Sequence, residues 1–458
     1  MSNALPRHIA VIDIGKTNAK VVLIDAERGA QIEALSRPNE VVRDGLYPHA
    51  DVEGLWDFIL NSLAALQGAH RIDGISITTH GATAALVNET GLVLPVLDYE
   101  HAGPEASRPA YAQVRPGFAE TLSPPLPNGL NLGAQIFWQQ ATFPAEFAAV
   151  TRILAYPQYW AWRLTGIAAS EVTSLGCHTD LWSPEKNDFS SLVARSGWRP
   201  LFPKIRPAAS VLGTVLPDVA ARTGLGADIP VTCGIHDSNA SLVPHLARKD
   251  TPFSVVSAGT WTICMTVGGD TAGLDEARDS LSNVDAHGRP VPTARFMGGR
   301  EFDLLVPRIV EPSLDDIAAV IAADVRALPS FVPGVGPFGV TRGGWSVDPD
   351  GLSDGARTAA ASLYLALMTR ECLGLCGLGR MIIVEGPLAR NRLFCAALGR
   401  LSRVPIHASG DSTGTSMGAS LLFGGGSEAA LGESIPPLEY AGFDDYAAKW
   451  RDRARSQN

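Results

Sequence analysis

Two apolar runs, each broken once by a small polar tip, set the pattern of this chain. Residues 8 to 24 alternate little and are nearly all apolar, except where Asp13, Gly15, Lys16, Thr17 and Asn18 intervene. That pattern predicts two buried strands joined as a β-hairpin. "FSVVSAGTWTICMTVGG" (253–269) repeats it, again with small residues at the turn. Between and after these units the period changes. "GLWDFILNSLAALQG" (54–68) has apolar residues at helical spacing. "RIDGISITTHGATAALVNETGLVLP" (71–95) returns to strands, with "NETG" as a turn. Residues 104–130 are rich in Pro and Gly and predict a loop excursion. "NLGAQIFWQQATFPAEF" and "PQYWAWRLTG" predict helices, the second stopped by Gly166. "GIHDSNASLVPHL" predicts a strand turning into a helix. "ARTAAASLYLALMTRECLGLCGLG" (356–379) predicts a long helix, and residues 381–401 a strand, a polar turn and a helix. The expected fold class is α/β, in two lobes of related design. The boundary falls near 243–253, giving lobes of 1–246 and 247–458.

Length supports that division, because 458 residues exceed one ordinary core. A hydrophobic content of 46% and a charged content of 18% describe a globular chain. The net charge of −10 argues against a nucleic-acid binder, whose footprint is usually basic. No segment has the regions of a signal peptide, and none approaches the roughly 18 apolar residues of a membrane helix. The cysteines Cys177, Cys233, Cys264, Cys372, Cys376 and Cys395 are scattered through apolar runs. Cys372 and Cys376 share a helix face, but no His or Cys pair nearby completes a zinc site. Buried free thiols are expected, and with them a reducing compartment, most simply the cytoplasm.

The hairpin tips offer chemistry. Phosphate oxygens only accept hydrogen bonds. A tip of Gly, Thr and Asn presents backbone N–H groups and short donors without bulk, and Lys16 adds a positive charge. Asp13 is placed to hold Mg²⁺, through water, since that ion keeps several waters and takes few carboxylates. The plain alternative is a turn with no ligand. No G-x-x-x-x-G-K-[ST] sequence is present, so the hairpin is not a P-loop.

The stretches taken in order resemble the FGGY family of carbohydrate kinases, within the actin and hexokinase superfamily. "DIGKTNAK" resembles its first phosphate hairpin and "SAGTW" (257–261) its second. "ISITTHG" (75–81) resembles the sugar-binding stretch, and "GLVLPVLDYE" the strand after it. "QIFWQQATFP", "YWAWRLTG" and "SEVTSLGCHTDLWSPEKNDFS" follow in family order. "GLGADIPVTCGIHDSNA" (224–240) resembles the G-L-x-x-G-x-P-V-x-x-G-x-x-D stretch, and "VEGPLARNRLFCAALGRLSRVPI" the adenosine-binding strand and helix. The likeness runs through nearly the whole chain.

The resemblance implies two RNase H-like (actin-like ATPase) lobes with an interdomain active-site cleft. The N-terminal lobe would bind sugar and the C-terminal lobe nucleotide, closing over the substrates to exclude water. It implies ATP- and Mg²⁺-dependent phosphorylation of a ketose hydroxyl, with Asp237 as general base; the alternative for Asp237 is a helix cap. Asp13 would organise Mg²⁺. Lys16, Thr17, Asn18, Gly259, Thr260, Gly386, Arg390 and Asn391 would contact the nucleotide. Pro387 departs from the family's run of glycines there. His80, Asp98, Glu100, Trp138 and Asp237 would contact the sugar, with Tyr99 standing where many members have Trp. "RFMGGREFD" (295–303) fits no family stretch; paired glycines with Arg300 and Glu301 suggest a shaped loop or a solvated turn.

"SAGTW" and the short acid loop resemble rhamnulose and fuculose kinases more than xylulose or glycerol kinases. The alternatives are a kinase of a tetritol or sugar acid, or a sugar sensor that binds without phosphorylating. The expected partner is a small sugar, with no nucleic acid and no membrane; a homodimer is compatible with the sequence.

Overall fold

The computed structural model describes residues 5–409, 414–424 and 431–456. The chain forms two compact units. The first comprises Met1–Ala247, Asn283–Pro290 and Thr413–Ala429; the second comprises Arg248–Ser282, Val291–Ser412 and Ala430–Asn458. The expected single boundary after residue 246 is therefore too simple, because two later segments belong with the N-terminal sheet. One physical reason is visible in helix Gly414–Ser420. Its Ser416 hydroxyl donates to Asp13 at 2.6 Å, and its Ala419 carbonyl accepts from the Ser76 hydroxyl at 2.7 Å.

In the first unit, strand His8–Ile14 pairs antiparallel with Asn18–Asp25, which pairs antiparallel with Ala30–Pro38. On its other side His8–Ile14 pairs parallel with Gly74–Thr79. Strand Pro230–Thr232 continues the sheet parallel to Gly74–Thr79, and Val211–Thr214 closes the edge antiparallel. The central strands are buried on both faces: His8–Ile14 reads as a nearly continuous apolar run, and Gly74–Thr79 alternates isoleucine with buried Ser76 and Thr78. Helix Val52–Ala69 makes the crossover between the first hairpins and Gly74–Thr79. Asp51 caps its N-terminus by accepting from the Gly54 N–H, and it buries Leu55, Ile59, Leu63 and Leu66 at helical spacing.

The second unit repeats the plan. Phe253–Ala258 pairs antiparallel with Thr262–Val267, which pairs antiparallel with Pro290–Phe296. Ile382–Glu385 and Ile406–Ser409 add in parallel, and Glu433–Ile435 closes the edge antiparallel. Helix Asp354–Leu375, capped by Ser353, precedes Ile382–Glu385, and helix Arg392–Ser402 precedes Ile406–Ser409. Two antiparallel hairpin strands followed by parallel crossovers thus occur once in each unit.

All six cysteines are buried, and none forms a disulfide. Among the described residues no helix is long and apolar enough to cross a membrane. Residues 104–130, expected as loop, carry short helices at Gly103–Ser107, Arg108–Val114 and Phe118–Thr121. "RFMGGREFD" is not a loop. It ends a strand and begins helix Gly298–Leu305, in which Glu301 is fully buried. That carboxylate accepts from the Tyr364 and Ser330 hydroxyls and from the Phe331 and Val332 N–H groups. Four donors explain how a carboxylate sits in a core.

The attachment of helix Gly414–Ser420 is testable at Gly418. A Cβ there would lie 1.7 Å from the Ala240 carbonyl oxygen. Gly418→Ala should destabilise the first unit by about 1–3 kcal/mol, as overpacking does. Gly68→Ala, in helix Val52–Ala69 with nothing within 4 Å of the added carbon, should be neutral or stabilising. Urea unfolding followed by circular dichroism compares the two.

Candidate active site

Three neighbouring parallel strands of the first unit end on charged or titratable side chains. His8–Ile14 carries Asp13 beside its end, in register with Thr78. Gly74–Thr79 runs into His80. Ile235–His236, parallel to Thr78 and Thr79, runs into Asp237. Carboxyl ends of parallel strands are where open α/β sheets place ligands, because the backbone there turns away and leaves a crevice. Asp13, His80 and Asp237 thus arrive at one end of one sheet.

Asp13 is buried. Its Oδ2 accepts from Ser416 and lies 3.2 Å from the Lys20 ammonium. Asp237 opens the short helix Asp237–Ala240, and its Oδ1 accepts from its neighbour Ser238 through the N–H at 2.6 Å and the hydroxyl at 3.3 Å. Desolvation pushes its pKa up to about 6; the Asp13 carboxylate pushes the same way, while His80 and the Ser238 donors oppose. His80 Nδ1 lies 3.0 Å from the Gly81 carbonyl, so that nitrogen carries the proton. Burial lowers its pKa, leaving a neutral ring with Nε2 as an acceptor. Tyr99 and Tyr156 flank the ring, with centroids 5.5 and 5.3 Å away.

Lys16 sits differently from the expectation. Its ammonium is paired with Asp98, lies 3.5 Å from Glu100 and sits 4.7 Å over the Tyr99 ring. It therefore faces the acid stretch expected to hold sugar, and with His80, Thr83 and Leu97 it lines a narrow cavity of about 20 Å³. Thr17 and Asn18 are exposed at the hairpin tip. Asp98 is enclosed beneath Lys16, whereas Glu100 is exposed. Trp138 does not line this cavity. It is 7% exposed, in an aromatic cluster with Tyr47, His101 and Phe143 at centroid distances of 5.4 to 5.6 Å. Those neighbours occupy its ring, so it serves as packing.

In the second unit a cavity of about 420 Å³ is lined by Gly259, Thr260, Gly299, Thr358, Arg390 and Asn391, among others. The hairpin tip at Gly259 and Thr260 is exposed to it. Gly299 permits the tip to approach, since a Cβ there would lie 2.2 Å from the Gly259 carbonyl. Gly386 has φ of +79°, and a Cβ would lie 2.1 Å from the Ala258 carbonyl, which accounts for glycine beside Pro387. Asn391 is largely occupied by structure. Its side chain accepts from the Phe394 N–H as a helix cap and donates to Ser362. Arg390 is exposed at the cavity wall.

The sequence reading missed His236, Lys20 and Ser416. His236 is buried, with Nε2 3.2 Å from Asp237 Oδ1 and 3.5 Å from Cys177 Sγ. Its Nδ1 accepts from the Asn239 amide at 3.0 Å, so Nε2 carries the proton, and its hydrogen-bond contact is with Cys177 Sγ. Burial holds its pKa down to about 4, so the ring is neutral at pH 7. Adjacency to Asp237 in sequence was the only signal for His236. Ser416 is 403 positions from Asp13, and no spacing argument reaches it.

Two α/β sheets of the same order, with titratable groups at parallel strand ends and small residues at hairpin tips, define a phosphotransferase class of site. The pattern described as "FGGY family of carbohydrate kinases, N-terminal domain" matches residues 128–244, and "Carbohydrate kinase FGGY, C-terminal domain" matches 250–431. The crystal structure of a carbohydrate kinase from Novosphingobium aromaticivorans is 37% identical, with a TM-score of 0.91 over 99% of both chains. L-fuculokinase from Salmonella typhi is 25% identical over 444 residues, covering 90% of this chain and 91% of that protein. Xylulose kinase from Rhodospirillum rubrum shares the fold at 20% identity, with a TM-score of 0.77. The chain belongs to the FGGY family of carbohydrate kinases. It is a sugar kinase, a phosphotransferase with an alcohol group as acceptor, and the family implies ATP as the nucleotide.

Proposed function

We propose that this kinase phosphorylates a hydroxyl of a ketose of the rhamnulose, fuculose or pentulose kind, with Asp237 as general base and Mg²⁺ anchored at Asp13. The observation that carries the reading is the convergence of Asp13, His80 and Asp237 at adjoining strand ends, with Asp237 pushed up to about 6. A base poised just below neutral pH is ionised in most molecules yet still basic enough to take a hydroxyl proton. The match to L-fuculokinase supports a ketose over other acceptors.

The donor set at Asp13 suits Mg²⁺. The Asp13 carboxylate lies near enough to disfavour the charged form of Asp237, and a divalent cation relieves that repulsion. Among the described residues no three His, Cys, Asp or Glu side chains converge as a metal cage. One carboxylate with water and substrate phosphate is the usual Mg²⁺ arrangement. When bound, the ion neutralises phosphate charge. Asp237 accepts the hydroxyl proton as the sugar oxygen attacks the γ-phosphorus and the bond to the departing ADP breaks. His80, through Nε2, and Asp98 bind and orient sugar hydroxyls, with Glu100 at the exposed rim. Gly259 and Thr260 hold phosphates, and Arg390 the adenosine, in the second unit. Lys16 serves the sugar side through Asp98 rather than the nucleotide. An ATP-consumption assay over a panel of ketoses, tetritols and sugar acids tests the acceptor, and no turnover with any of them would favour a sensor.

Asp237→Asn keeps size and removes the base, so kcat should fall by roughly 10²–10⁴ with the fold intact. In the unaltered enzyme kcat should fall as pH drops through about 6, because protonation of Asp237 removes the base. A flat profile between pH 5 and pH 8 would retire this assignment.

Asp13→Ala should raise the Mg²⁺ concentration needed for half-maximal rate and lower the maximum, since the ion loses its protein anchor. A Mg²⁺ titration of initial rates decides; an unchanged curve makes Asp13 a structural acid tied to Lys20 and Ser416.

A further inference from the structure

The second unit holds another polar cavity, of about 610 Å³, that the sugar and nucleotide readings do not use. Five arginines line it, Arg278, Arg370, Arg403, Arg451 and Arg455, and Glu371 is the single carboxylate in its wall. The imbalance stands out on a chain whose net charge is −10. Glu371 is nearly buried and lies 3.4 Å from Arg278, 3.2 Å from Arg451 and 3.7 Å from Arg455. Its two oxygens are thus shared among three guanidinium groups, each with further N–H donors. Arg370 donates to the Leu401 carbonyl at 3.3 Å, and burial together with the nearby Arg451 charge pushes its pKa down. Ser402 also lines the cavity; it is 7% exposed, and its hydroxyl finds no hydrogen-bond partner among the described residues.

Helix ends explain part of this. Arginines near the last turns of Asp354–Leu375 and Arg392–Ser402 complement the carbonyl ends of those helices. They do not explain five guanidinium groups around one shared carboxylate and an unused hydroxyl. A second carboxylate would offer two acceptor oxygens. A phosphate monoester offers three, with nearly two negative charges, and suits forks arriving from different directions.

The same two helices reach the nucleotide cavity. Thr358 and Asn391 line that cavity, while Glu371 and Ser402 line the arginine cavity. Thr358 and Glu371 lie on the one helix Asp354–Leu375, about 20 Å apart at 1.5 Å per residue. We propose that the arginine-lined cavity is a second, non-catalytic site for a phosphate-bearing small molecule, coupled to the nucleotide cavity through these two helices. The proposal is independent of the roles given to Asp13 and Asp237; only the coupling rests on the nucleotide reading.

Calorimetry on the full chain, saturated with a non-hydrolysable ATP analogue and held at fixed ionic strength with NaCl, tests binding. Glucose 6-phosphate and inorganic phosphate are titrated separately, the first probing a sugar ester and the second free phosphate. At least one should bind at one per chain, and the double variant Arg370→Gln/Arg451→Gln should bind it at least tenfold more weakly. Arg403→Gln/Arg455→Gln, at more exposed positions, should weaken binding at least threefold and guards against a variant that fails to fold. No binding of either probe, or equal binding by variants that fold, overturns the site and leaves the arginines as helix-end stabilisers. Where the probe binds, it should also shift the KM for ATP in the unaltered chain and not in the variant; an equal shift in both overturns the coupling.

Discussion

Strand His8–Ile14 pairs antiparallel on one side and parallel on the other, and the site follows from that double pairing. The antiparallel partner lets the chain return through a tight tip, where small residues leave backbone donors uncovered. The parallel partners bring separate stretches of sequence to the same end of the sheet. Asp13, His80 and Asp237 meet there although they lie far apart along the chain. In the second unit the same double pairing at Phe253–Ala258 sets the tip at Gly259 and Thr260 beside the turn at Gly386.

Charge placement depends on this geometry. Asp13 and Asp237 are carboxylates with different surroundings. Asp13 has a lysine and a serine hydroxyl against it. Asp237 has neutral donors and a neutral histidine, so desolvation dominates and lifts its pKa. The different roles proposed for the two acids, an anchor for a cation and a base, rest on this difference in neighbours. Lys16 adds a further constraint. By pairing with Asp98 it ties the first hairpin to the acid stretch, so these two parts of the first unit hold each other in place.

The second unit shows how buried polar groups shape the cavity at Gly259 and Thr260 from outside it. Glu301, with four donors around it, fixes the start of helix Gly298–Leu305. That in turn holds Gly299 against the carbonyl of Gly259. Asn391 caps one helix and braces Ser362 on another. Such residues look like ligand contacts in sequence because the same short polar side chains serve both purposes.

The sequence by itself determined the two hairpins, the long crossover helices, the α/β class and the family, since apolar period, turn residues and motif order are local properties. Asp13 and Asp237 stood out because each closes or follows an apolar run, and His80 stood out only through the family resemblance. The sequence could not decide that Trp138 packs in an aromatic cluster, that Lys16 turns to Asp98, or that Arg300 and Glu301 start a helix. Those outcomes rest on which distant side chains arrive nearby. The same holds for Ser416 on Asp13, for the His236 tautomer set by Asn239, and for Arg278, Arg451 and Arg455 around Glu371. Electrostatic and hydrogen-bond partners are chosen by tertiary packing, and the chain's linear pattern carries no record of distances between residues hundreds of positions apart.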